Sequence, residues 1–250
     1  LASQFTNKGN GNAEILIYDE IGEDYWGFGV TPQMVKREVK ALGDVKHIDV
    51  RIHSPGGSCF AGEAIYSILN AHPATKTVYI DGLAASAASW LAMVGDKIVM
   101  SEGAFMMIHP ASCVCFGTSD DMRSMAVLLE KINDTLANVY SSRTGKPATY
   151  FRTAMAAETW YTAKEALEVG LVSDISPNKA VAACFDPQKF GFKNMPKDLH
   201  VEINIEIDDD KEEEMEAAEE ATETAQNAIP AKLLAAKRRQ EVARAISEGR

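Results

Sequence analysis

The sequence is short of several features that would point elsewhere. It has no apolar run of the eighteen or so residues that a bilayer-spanning helix needs, and no basic-then-apolar start of the kind that leads secretion. That argues against a membrane partner. Cysteine is scarce: Cys59, Cys113, Cys115 and Cys184 contain no CxxC pair, and the CxC at Cys113 and Cys115 has no His or Cys at zinc-ligand spacing. Free thiols in a reducing cytoplasm are the expectation. The Gly-x-Ser-x-Gly elbow of α/β-hydrolases is absent, as is any internal repeat. No basic cluster suits the phosphates of coenzyme A. The basic stretch near the end, with Lys237, Arg238, Arg239 and Arg244, lacks interleaved aromatics and reads as no nucleic-acid site.

What is present is ordinary for a globular chain. Of 250 residues, 46% are apolar and 24% charged, and the length is enough for one large domain and an appendage or for two small domains. The net charge of −11 is local. Residues 198–226 hold thirteen Asp and Glu against one Lys, whereas the rest, with 23 acids and 24 bases, is near neutral. The acidity therefore says little about the partners of the main domain.

Along the chain, residues 1–12 are rich in Asn and Gly and read as a flexible arm. Residues 14–18 form a short strand. Thr31-Pro32 starts a helix, as N-cap and first helical proline. In residues 47–53, Ile48, Val50 and Ile52 alternate with polar residues, the period of a strand. Ser54-Pro55-Gly56-Gly57 is a turn. Phe60, Ala61, Ala64, Ile65, Ile68 and Leu69 make an apolar helical stripe. A strand at 77–81, a helix at 85–94, and strands at 97–100 and 104–109 follow. Residues 119–142 form a long amphipathic helix, another begins near Pro147, and Thr162-Ala163-Lys164-Glu165 is a capping box whose helix Gly170 ends. This alternation predicts an α/β fold with a largely parallel sheet. The globular pattern fades between residues 175 and 192.

Three strand ends carry chemistry. Ser86, in Gly82-Leu83-Ala84-Ala85-Ser86, follows a strand and opens a helix, where free N–H groups and the helix dipole favour a developing oxyanion. Taken alone, Ser86 is better explained as an N-cap serine, and Ser89 as a small packed residue. Ser54-Pro55-Gly56-Gly57 allows a backbone that aims the Gly57 N–H into a cleft; Ala87, after Ser86, supplies a second donor. His109 ends the apolar strand Phe105-Met106-Met107-Ile108, and His53 carries no assigned chemistry. Together they offer a nucleophile, a base and an oxyanion hole from one sheet edge.

The ordered set Ser-Pro-Gly-Gly, Gly-Leu-Ala-Ala-Ser, Met-Ile-His-Pro and Tyr-Thr-Ala-Lys-Glu-Ala-Leu-Glu-Val-Gly-Leu-Val resembles the ClpP family of serine peptidases, from about residue 13 to 175. With its Asn/Gly-rich arm and acidic extension, the chain looks most like the ClpP-related head maturation proteases of tailed bacteriophages. The resemblance implies a ClpP/crotonase-like superhelix of ββα units over residues 13–192 with a helical handle at about 119–142. An acidic linker at 193–226 and a short basic helix at 227–250 complete the plan. It implies Ser86 as nucleophile, His109 as base, and the Gly57 and Ala87 N–H groups as oxyanion hole. Glu158 stands where relatives carry the third member, usually Asp; Asp134 and Asp174 are fallbacks. It implies acyl transfer on a peptide or protein substrate, capsid or scaffold proteins among them, with no metal or organic cofactor. A ring-like homo-oligomer joined through the handle follows. Residues 1–14 show no counterpart of the ATPase-docking loops, which argues against an unfoldase partner. The setting would be the host cytoplasm or the procapsid interior. The competing readings are a housekeeping ClpP-type peptidase with an ATPase partner, a crotonase-like acyl-CoA enzyme and a non-catalytic assembly protein.

Overall fold

A computed structural model of the chain describes residues 3–23, 28–177 and 191–196. Cys184, the acidic stretch and the basic stretch at the end lie outside the described residues. Among the described residues no helix is long and apolar enough to cross a membrane.

The first strands are β1 (Ser3–Gly9) and β2 (Asn12–Ile17), paired antiparallel. This corrects the flexible arm expected over residues 1–12. The Asn and Gly residues form the turn between two strands: Gly9, Asn10 and Gly11 all have positive φ, which Gly and Asn tolerate best. Helix α1 (Pro32–Leu42) starts as expected, with the Thr31 hydroxyl accepting from the Met34 N–H, and it buries Val35, Val39 and Leu42. Strand β3 (His47–Ser54) alternates in burial until residue 52 and is then buried throughout, because its end is covered on both sides. Helix α2 (Cys59–Ala71) follows, buried through Gly62, Ile65 and Leu69.

Strand β4 (Thr75–Ala85) is longer than the 77–81 strand read from the sequence. Next come a short helix α3 (Ala87–Leu91) with one 3-10 turn (Ala92–Val94), then β5 (Lys97–Ser101) and β6 (Phe105–Ile108). The long helix α4 (Ser119–Thr144) has a capping box at Thr118 and Asp121 that the sequence reading missed, and Gly145 ends it in the left-handed region. Then follow α5 (Ala148–Ala156), β7 (Thr159–Thr162), α6 (Ala163–Val169) and β8 (Asp174–Ser176). The capping box at Thr162 and Glu165 and the helix stop at Gly170 are present as expected.

The sheet runs β1-β2-β3-β4-β5-β8, and β2 to β8 along that path are parallel. β4 changes partner along its length. Thr77–Ile80 pair with β5, whereas Leu83–Ala85 pair with β6, and β6 pairs antiparallel with β7. The mixed α/β fold with a mostly parallel sheet is therefore as expected. At the β3/β4 centre, Tyr18 Oη donates to Asp81 at 2.6 Å and Arg51 Nε donates to the same carboxylate at 2.8 Å. Burial and the Asp81 carboxylate push the Tyr18 phenol up to about 12.

Helix α5 docks through Phe151, which is fully buried against Tyr140 of α4, with ring centroids 5.6 Å apart. Truncating such a ring leaves a cavity that the neighbours only partly refill. Phe151→Ala is expected to cost about 3–5 kcal/mol, read as a lower urea midpoint at unchanged slope.

Candidate active site

Ser86 follows the last residue of β4 directly. Its backbone lies at φ 54°, ψ −125°, an uncommon conformation for a residue with a side chain. Its N–H donates to the Met107 carbonyl at 2.9 Å, which ties the turn to β6. Although it stands in the N-cap position of α3, its hydroxyl makes no capping bond. The hydroxyl instead lies 2.7 Å from His109 Nε2. The simple helix-cap reading of Ser86 is thus not what the side chain does.

His109 comes one residue after β6. Because Ala85 and Met107 are paired in register, the residues that follow both strands emerge side by side. The Ala111 N–H donates to Asn133 Oδ1 of α4 at 2.7 Å, which holds the chain as it leaves His109. Burial lowers the His109 imidazole below its ordinary 6.5; the Glu158 charge opposes this and the Lys193 charge adds to it.

The Ser54-Pro55-Gly56-Gly57 turn wraps the other side. The Ser54 hydroxyl is fully buried, donates to the Asp19 carbonyl at 2.6 Å and accepts from the Gly56 N–H at 3.1 Å. Gly56 has φ 97°, and a Cβ there would lie 2.5 Å from the Ala85 carbonyl and 2.6 Å from Ser86 Cβ. Only glycine lets the turn lie this close to Ser86. The Gly57 and Ala87 N–H groups donate to no carbonyl among the described residues. Unengaged N–H groups beside a serine–histidine pair are what an oxyanion requires.

Behind the serine, Ser89 Oγ donates to the Ser86 carbonyl at 2.6 Å and shares a 2.8 Å hydrogen bond with the buried Tyr140 hydroxyl. Ser89 is more than a small packed residue. Sequence reasoning missed this link and the Asn133 contact. Both come from α4, and the only signal was a polar group on that helix's apolar side. His53 is buried and packs edge-on against Tyr18, 5.6 Å between centroids.

Glu158 is buried and has φ 48° between α5 and β7. Its charge acts on His109, but its Oε1 accepts from the N–H groups of Lys193 and Asn194, each at 2.7 Å, and from Trp160 Nε1 at 3.4 Å. Among the described residues no hydrogen bond joins it to His109. The domain's contacts thus run past residue 192, where the sequence reading put a boundary. The fallback acids are elsewhere: Asp134 pairs with Arg152 at 3.5 Å and Asp174 with Lys97 at 3.0 Å. Both belong to exposed ion pairs, so neither serves as a third member here.

Similarity to known proteins follows the same residues. The Clp protease family model matches residues 4–179. The chain is 31% identical to the ATP-dependent Clp protease proteolytic subunit 1 of Leifsonia xyli subsp. xyli over 140 residues, 55% of this chain and 71% of that protein. It is 29% identical to the ATP-dependent Clp protease proteolytic subunit of Deinococcus radiodurans over 178 residues, 67% of this chain and 87% of that one. To the proteolytic subunit 2 of Thermobifida fusca it is 34% identical over 136 residues, 53% and 66% of the two chains. A match that covers β2 to β8 and includes Ser86 and His109 shows that the chain belongs to the Clp protease family of serine-type peptidases.

Proposed function

We propose that this chain hydrolyses peptide bonds with Ser86 as nucleophile and His109 as general base. The observation that carries this reading is the 2.7 Å contact between Ser86 Oγ and His109 Nε2, on a serine whose hydroxyl caps nothing. In the reaction, Oγ attacks the peptide carbonyl carbon while Nε2 takes its proton. The carbonyl π electrons move onto the oxygen, which the Gly57 and Ala87 N–H groups hold as an oxyanion. As the carbonyl re-forms, the C–N bond breaks and the imidazolium gives its proton to the leaving amine. Water, deprotonated by His109, then releases the acyl group from Ser86. Glu158 supplies negative charge that favours the imidazolium.

Assembly into a ring-like homo-oligomer is part of the same proposal. Its support is α4, whose first half exposes Met122, Val127 and Leu128 at 42%, 56% and 40%. Isolated α4 gains nothing from that surface, and a second copy would bury it.

A finer reading is that the substrates are capsid or scaffold proteins, cleaved in the host cytoplasm or the procapsid during phage head maturation. Its support is the acidic extension of residues 198–226, which lies beyond the matched residues 4–179. Co-expression with phage capsid and scaffold proteins is expected to give cleavage without an ATPase. Cleavage only when a Clp ATPase is supplied would favour the housekeeping reading.

Two measurements test the chemistry. Ser86→Ala is expected to lower kcat by about 10⁴-fold or more and to abolish fluorophosphonate labelling; unchanged cleavage would refute the serine mechanism. His109 works as a base only when unprotonated. Burial lowers its pKa, so activity should persist as pH falls past 6.5 and be lost only below it. An acid limb of kcat/KM at or above 6.5 would contradict a desolvated base.

A further inference from the structure

Residues 191–196 lie beyond the matched residues 4–179. They nevertheless sit on the acid–base end of the site. Phe192 lies edge-on to His109, with centroids 6.1 Å apart and planes at 80°, and edge-on to Trp160 at 5.4 Å and 82°. It also packs on a small apolar cluster, Leu83, Ala85 and Met107, made by the ends of β4 and β6. These strand ends carry Ser86 and His109, so Phe192 occupies apolar surface beside the reacting pair.

The next two residues act on Glu158. Both the Lys193 and the Asn194 N–H donate to its Oε1 at 2.7 Å, and Asn194 Nδ2 donates to the Ala157 carbonyl at 2.8 Å. Meanwhile His109 Nδ1 has no hydrogen-bond partner among the described residues, although Nε2 is engaged with Ser86. In a serine–histidine–carboxylate triad, the carboxylate holds the Nδ1 proton, fixes the tautomer and stabilises the imidazolium. Here the carboxylate at that end of the site is held by two backbone N–H groups of a segment outside the matched region.

We propose that residues 191–196 are a strap of the chain itself that docks on His109, Trp160 and Glu158 and holds the peptidase at rest. The proposal builds on the serine-peptidase reading above. While docked, the strap covers one side of the imidazole and keeps Glu158 Oε1 away from Nδ1. Once displaced by a substrate, it frees the carboxylate to turn onto His109 and uncovers the surface beside Ser86. No covalent step is involved; the two states differ in the hydrogen-bond partners of one carboxylate and in the place of one aromatic ring.

The test uses the full-length chain and the rate at which a fluorophosphonate labels Ser86. Phe192→Ala removes the ring that covers His109. Asn194→Pro removes one N–H donor to Glu158, and serves as the second variant should the first fail to fold by circular dichroism. A strap closed about nine-tenths of the time leaves about one-tenth of the molecules competent, so release should speed labelling by about tenfold or more. A synthetic peptide with the sequence of residues 191–196 should slow labelling of the released variant again. A folded variant that labels no faster than wild type overturns the strap and leaves the peptidase reading standing. If wild type and variants alike show no labelling that depends on Ser86, the peptidase reading fails and the strap fails with it.

Discussion

The site depends on one strand having two partners in succession. β4 pairs with β5 through Thr77–Ile80 and then with β6 through Leu83–Ala85. The change of partner lets β6 lie against the last residues of β4, where β5 would otherwise continue. In-register pairing of Ala85 with Met107 then forces the two strands to end together. Ser86 and His109 therefore meet although 23 residues separate them. The Ser86 N–H bond to Met107 anchors the turn, and the unusual Ser86 backbone persists because pairing on one side and the Gly56 approach on the other leave little alternative.

A second layer keeps this arrangement in place from below. α4 contributes Asn133, which holds the residue after Pro110, and Tyr140, which reaches the Ser86 carbonyl through Ser89. One long helix is thus linked to the reacting pair through Ser89 on one side and Ala111 on the other. Its second half is packed into the core, and its first half projects apolar side chains outward. The polar groups that link α4 to the serine turn are buried and costly to leave unpaired.

Electrostatics at the imidazole are a balance of opposing effects. Burial disfavours the charged ring, Glu158 favours it, and Lys193 disfavours it again. A carboxylate that makes no hydrogen bond to the imidazole still exerts its charge, but it does not fix a tautomer. The distinction between acting by charge and acting by hydrogen bond separates Glu158 as found here from a fully engaged third member.

Much was legible in the sequence. Alternation over residues 47–53, the Thr31-Pro32 start and the Thr162 capping box are local signals with local causes, and their elements formed where expected. The serine, the histidine and the Gly-Gly turn were readable as strand-end residues of the right types. The reading failed where structure depends on partners distant in the chain. An Asn/Gly-rich start looks flexible until β2 offers it an edge, and the full length of β4 is invisible because its second half, covered on both faces, loses its alternation. Glu158 could be matched by position, but the direction of its carboxylate is set by Lys193 and Asn194, 35 and 36 residues later. Residue types and local periodicity thus determined which groups this protein carries and the strands and helices that bear them. Tertiary structure alone decided which of those groups face one another, because hydrogen bonds and ring contacts depend on ångström-scale placement that no sequence spacing encodes.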